Sequence, residues 1–145
     1  MEKESILNTI LNEYDLQMVD PNLYSPLNLA FIGDSVYGLV VKSVIVLMGN
    51  CPASALNQKA NYYIKAVTQA KIIDALLESS ELSEEEENIY RRGRNAKSPT
   101  TAKNASVGEY RRATGLEALV GYLYLQGKSE RLIHIMKIGM ELVSD

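Results

Sequence analysis

The sequence predicts an all-α fold, a single-domain bundle of about six helices spanning residues 1–145. Three observations predict it. Apolar residues recur at three- and four-residue spacing, most extensively at Leu56, Ala60, Tyr63, Ile64, Val67, Ala70, Ile73 and Leu77. Two serine-to-glutamate capping boxes, Ser83 with Glu86 and Ser106 with Glu109, mark helix starts. No segment alternates apolar and polar residues as a half-buried strand would. A chain of 145 residues, 46% apolar and 23% charged, fits one domain around one core.

The elements follow in order. Glu4 to Tyr14 puts Ile6, Leu7, Ile10 and Leu11 on one face of a short amphipathic helix, and Asp20-Pro21-Asn22 breaks the chain after it. Ser25 caps a second helix with Pro26 in its first turn, and Gly49-Asn50 stops it after Met48. A third helix starts at Pro52 or Ser54 and runs to about Glu78. The fourth starts at Ser83, carries Glu84 to Glu87 in a first turn expected to face water, and ends near Gly93. Arg94 to Ala105 reads as a loop around Ser98-Pro99-Thr100-Thr101. Ser106 opens a fifth helix ended by Gly127, and Ser129 caps a sixth through about Val143.

Composition narrows the class. A single cysteine, Cys51, allows no internal disulfide and fits a reducing cytoplasm. Met1 to Asp20 is mixed in charge, unlike a signal peptide. Leu27 to Met48 is long enough to span a bilayer, but Asp34 and Lys42 would each cost about 3 kcal/mol near a membrane centre. Gly33, Ser35, Gly38 and Ser43 lower its apolarity further, so it is read as a core helix, without a membrane partner. Of fifteen basic and eighteen acidic residues, seven basic and one acidic lie between Arg91 and Arg112, which leaves eight against seventeen elsewhere. An acidic chain with one concentrated basic segment points to a polyanionic partner for that segment.

Two carboxylates stand out. Asp34 is set in an almost wholly apolar stretch, and Glu117 is the one charge between Ala113 and Leu125. A carboxylate in an apolar helix is costly unless a cation meets it. The helical neighbours of Asp34 are Ala30, Phe31, Tyr37 and Gly38, and those of Glu117 are Ala113, Thr114, Val120 and Gly121, none of them cationic. Both acids lie among small residues that let helices approach. If the two helices cross there, the acids face one site, and magnesium suits it because that ion takes one or two carboxylates and keeps several waters. The same pattern also fits a purely structural role, each acid pairing with a lysine or arginine from another helix. The lone histidine, His134, and the lone cysteine argue against a zinc site or a histidine-based triad.

The basic segment comprises Arg91, Arg92, Arg94, Lys97, Lys103, Arg111 and Arg112, interleaved with Ser, Thr and Asn. Such side chains contact phosphates, and the hydroxyls and amides add hydrogen bonds. A solvated loop balancing an acidic surface is the plainer alternative. Phosphate-binding groups beside a carboxylate-held metal are the combination expected of a phosphodiesterase.

These residues resemble the ribonuclease III catalytic-domain family, and within it the short Mini form. Leu29-Ala30-Phe31-Ile32-Gly33-Asp34-Ser35-Val36 is similar to the family signature Leu-Glu-Phe-Leu-Gly-Asp-Ser-Val. The stretch from Gly115 to Leu125 is similar to its second motif, Phe-Glu-Ala-Leu-Ile-Gly-Ala-Ile-Tyr-Leu. Arg91-Arg92-Gly93-Arg94-Asn95-Ala96-Lys97 and Tyr110 to Gly115 are similar to the Mini form. The resemblance covers about Ser25 to Leu142. It implies a homodimeric, all-helical, magnesium-dependent endoribonuclease acting on double-stranded RNA, with Asp34 and Glu117 as metal-associated catalytic residues. It also implies large-subunit ribosomal RNA precursor as substrate. The chain ends at Asp145 without room for the usual double-stranded RNA-binding domain, as in the Mini form. The first signature glutamate falls at Ala30 and the second-motif aspartate at Thr114, so half of the usual four carboxylates are absent, which favours a single ion or a second ion brought in with the RNA phosphate.

The reading is therefore a cytoplasmic hydrolase in which Asp34 and Glu117 hold Mg2+ and the basic segment grips duplex RNA by shape. One alternative is a non-catalytic structured-RNA-binding helical module in ribosome assembly. Another is a protein-interaction bundle with no nucleic acid.

Overall fold

The computed structural model describes residues 5–97 and 104–144. Among the described residues there are seven α-helices, one short 3-10 turn and no strand. In order they are α1 (Ile6–Glu13), the 3-10 turn (Pro21–Leu23), α2 (Pro26–Met48), α3 (Ala53–Ile64), α4 (Ala66–Glu78), α5 (Glu84–Asn95), α6 (Val107–Leu125) and α7 (Ser129–Val143). The all-α bundle expected from the periodicity forms, with one helix more than expected.

The extra helix comes from a break. Lys65 adopts an extended backbone, φ −66° and ψ 149°, and divides the expected third helix into α3 and α4. No glycine or proline marks the place, because tertiary hydrogen bonds hold it. The Tyr37 hydroxyl donates to the Tyr63 carbonyl at 2.6 Å, and the Gln69 Nε2 donates to the Ile64 carbonyl at 2.8 Å. Carbonyls left without helical partners are thus satisfied from the side.

Capping follows the sequence closely. Ser5, Ser25, Ser83 and Ser106 each accept a backbone N–H at the start of their helix, and both capping boxes are closed. Two expectations need correction. The α7 cap position is Lys128, without a side-chain hydrogen bond, so Ser129 lies inside the helix. The four glutamates of α5 do not all face water. Glu86 is buried and accepts from Arg131 Nε at 2.8 Å and Nη2 at 2.7 Å, while Glu85 accepts the Tyr122 hydroxyl.

The core is built around α6. From Ala113 to Leu123 every residue but Glu117 is buried, so this helix is covered on all sides by α2, α4, α5 and α7. Leu116, Leu119 and Leu123 pack with Leu29, Val41, Ile73 and Leu76, each worth about 1.5–3 kcal/mol of transfer from water. Helices α2 and α6 cross in backbone contact at Gly33 and Gly121. A Cβ on Gly33 would overlap the Glu117 carbonyl oxygen, and one on Gly121 would overlap that of Leu29.

Helix α2 is less of a core helix than its apolarity suggests. It is long and apolar enough to cross a membrane, yet only 28% of its most apolar window is buried. Leu29, Gly33, Val36, Tyr37 and Val41 face inward. Phe31, Leu47 and Met48 are each more than 80% exposed.

Candidate metal centre and nucleic-acid interface

The glycine crossing positions the acids. Gly33 sits against the Glu117 backbone, so Asp34, the next residue on α2, emerges beside the Glu117 side chain. Both acids line one cavity of about 520 Å³ with Ala30, Phe31, Ser35, Gln69 and Thr114 among its walls. None of the lining residues is a lysine, arginine or histidine. Among the described residues neither acid takes part in an ion pair. Asp34 is exposed and Glu117 half-buried, so the pair meets solvent from the α2 side.

The electrostatics of the pair are those of a site lacking a positive charge. Burial first, then the hydrogen bond and repulsion from Asp34, push the Glu117 carboxyl up to about 8, against a smaller downward pull from the Gln69 amide. At neutral pH the pair therefore keeps a proton on Glu117. Tyr37 feels the field of the same acid. Burial and then the negative field of Glu117 drive its phenol above the ordinary range, so it stays a neutral donor to the Tyr63 carbonyl.

A divalent cation fits this donor set. It would replace the shared proton as the positive charge between two carboxylates. Among the described residues no three His, Cys, Asp or Glu side chains converge to make a closed protein cage. Two carboxylates in an open cavity suit magnesium, which retains much of its water. Gln69, on the same cavity wall, has a buried Oε1 without a hydrogen-bond partner among the described residues. At the two positions where the resemblance leads one to expect carboxylates, Ala30 puts a buried methyl in the wall. The Thr114 hydroxyl donates to the Tyr110 carbonyl at 3.0 Å.

The described basic residues differ in what they contact. Arg91 and Arg92 line a shallow groove of about 830 Å³ with Pro26, Asn88, Asn95 and Ala96. Arg91 also contacts Asn88 at 2.6 Å and Glu87 at 3.8 Å. Arg94 lies over the Tyr90 ring, 5.6 Å from its centre. Arg112 turns to Asp74 on α4 at 3.3 Å. Arg111 and Lys97 are exposed. Lys103 lies outside the described residues, as do Ser98 to Thr101 at the centre of the expected loop. Two side chains of the site were missed in the sequence. Gln69 is polar but sits four residues before buried Ile73, the signal that could have found it. Phe31, 82% exposed on the cavity wall, entered the sequence reading only as a helical neighbour of Asp34.

Comparison with known proteins places these features in a family. Residues 27–128 match the family model described as the ribonuclease III domain. The chain is 45% identical over 124 residues to Mini-ribonuclease 3 of Brevibacillus brevis, covering 86% of this chain and 91% of that protein. It is 47% identical over 121 residues to Mini-ribonuclease 3 of a Thermoanaerobacter species, covering 83% and 84%. The fold is similar to the crystal structure of a Fusobacterium nucleatum protein, with a TM-score of 0.74, 32% identity, and coverage of 84% of this chain and 96% of that one.

Proposed function

The chain belongs to the ribonuclease III family, in its Mini-ribonuclease 3 group, and is an endoribonuclease; from that premise we propose that it is a magnesium-dependent enzyme cutting double-stranded RNA, with Asp34 and Glu117 as its catalytic metal ligands. The observation that carries the reading is the pairing of these two acids in one solvent-open cavity without a basic neighbour. When bound there, a divalent ion supplies a lowered water pKa and charge neutralisation at the phosphate.

The protein's own groups do the rest. Asp34 and Glu117 would hold the ion, Glu117 as its deprotonated carboxylate. In the reaction, a water oxygen bonds to a backbone phosphorus and releases a proton to solvent, while the bond to the 3′ oxygen breaks and that oxygen takes up a proton. Arg91 and Arg92 contact phosphates along their groove, and Arg111 and Lys97 extend that contact from exposed positions. Arg94, Arg112 and Lys103 complete the proposed set, the first two by leaving Tyr90 and Asp74 for phosphate.

The same reading includes a symmetric dimer, one acid pair for each RNA strand. The open aromatic ring of Phe31 beside the acids favours a second copy at that edge. The proposed substrate is a large-subunit ribosomal RNA precursor, met in the cytoplasm. The deciding experiment incubates duplex RNA with protein in magnesium or in chelator. Cleavage in magnesium alone, lost in Asp34→Asn and Glu117→Gln, supports the reading. Binding without cleavage by the wild-type protein would replace it with a non-catalytic RNA-binding role.

A further inference from the structure

Gln69 is 3% exposed on α4 and lines the cavity of the acid pair. Its amide orientation is fixed, because Nε2 donates to the Ile64 carbonyl at 2.8 Å and a carbonyl can meet only a donor there. The same side chain shares the cavity wall with the Glu117 carboxyl and favours its charged form. Its remaining atom, Oε1, is buried with no partner among the described residues. Native proteins rarely leave a buried amide oxygen in that state, and an ordered water or an ion is the usual answer. The missing partner must be a donor. Phosphate oxygens would be repelled by Oε1, whereas water held by a cation presents its hydrogens outward.

We propose that Gln69 is a positioning residue of the acid pair: pinned to the helix break at Ile64, it fixes the Glu117 carboxylate and accepts a hydrogen bond from the hydration shell of the divalent cation. The inference rests on the metal reading of Asp34 and Glu117 given above. It explains how a site with Ala30 and Thr114 at two family carboxylate positions still orders its ion. An amide oxygen replaces charge with direction. It also ties the interruption between α3 and α4 to the site, since that break supplies the carbonyl on which Gln69 is anchored.

The test measures Mn2+ binding without RNA, from the free-ion signal in electron paramagnetic resonance, with folding followed by circular dichroism. Gln69→Leu should bind Mn2+ about tenfold more weakly, the scale of outer-shell losses at metal sites. Gln69→Glu should bind more tightly than wild type, because it adds a carboxylate beside the ion. A folded Gln69→Leu with wild-type affinity overturns the proposal and leaves Gln69 as a staple of the helix break. The same holds if that variant loses only RNA affinity, which would assign Oε1 to a ribose hydroxyl. Should Gln69→Leu fail to fold, Gln69→Glu decides: a gain supports the proposal, and no gain overturns it. Asp34→Asn separates the two levels. If Asp34→Asn loses Mn2+ while both Gln69 variants match wild type, only the present inference fails. If Asp34→Asn keeps full Mn2+ affinity, the metal reading fails and takes this inference with it.

Discussion

Gly33 on α2 lies directly against the backbone of Glu117 on α6, with no room for a side chain between them. A Cβ there would overlap the Glu117 carbonyl oxygen and lie 2.8 Å from the Gly121 nitrogen. The obstacles are backbone atoms of a helix packed on all sides, so they cannot turn aside. Gly33→Ala should therefore destabilise by about 3 kcal/mol, the upper end for overpacking, or prevent folding outright. Urea melts compared with Gly38→Ala, where a Cβ meets nothing within 4 Å, give the measurement.

The acid pair fixes the sign of a pH effect. Folded Glu117 keeps its proton to about 8, against 4.5 for the free side chain. Between those values the folded state binds more protons than the unfolded state, so stability in chelator should fall as pH rises across that window and level off above it. A divalent cation needs the deprotonated acid, so the stabilisation it adds should grow with pH. Tm at pH 5.5 and 8.5, in chelator and in 10 mM-scale magnesium (roughly, a saturating level), tests both slopes. Glu117→Gln should flatten them, raise Tm in chelator at the higher pH, and abolish cleavage.

Glu86 titrates in the opposite sense. The hydrogen bond from Arg131 holds its carboxyl below the ordinary range, helped by Ser83 and opposed by burial. Its contribution is thus present above the ordinary carboxylate value and is lost as pH falls through the lowered one. Arg131→Leu leaves Glu86 buried without its partner and removes the donor to the Glu81 carbonyl. The expected loss is about 2 kcal/mol, below that of a sealed pair because the Arg131 side chain is 35% exposed and water screens it. Denaturant midpoints at pH 7 measure it.

Neutralising Arg91 and Arg92 together should weaken duplex RNA binding to a similar extent for different sequences, and lower the slope of log K against log salt by about 2. Fluorescence anisotropy across a salt series reads both quantities. Arg112→Gln should weaken binding too, but less than the double change, since that guanidinium must first leave Asp74.

Much of this was legible in the residues. Asp34 and Glu117 were visible because charge in an apolar helix is unusual, and the small residues beside them announced the close crossing that brings them together. The serine caps Ser25, Ser83 and Ser106 located three helix starts. The break at Lys65 was hidden, because its cause lies in Tyr37 and Gln69, which approach Tyr63 and Ile64 only in the folded chain. The inward turn of Glu86 was hidden likewise, its partner Arg131 being 45 residues away. The basic segment read as one patch, yet Arg94 and Arg112 are drawn to Tyr90 and Asp74 by contacts that composition does not encode.

Helix α6, enclosed on every side, has a consequence for how the two halves of the site breathe. Its amides from 113 to 123 should exchange with deuterium only when the whole molecule opens, whereas α2, with one flank bare, should admit exchange by smaller local excursions. Glu117 is then an anvil held by the entire bundle, and Asp34 rides on the more compliant jaw.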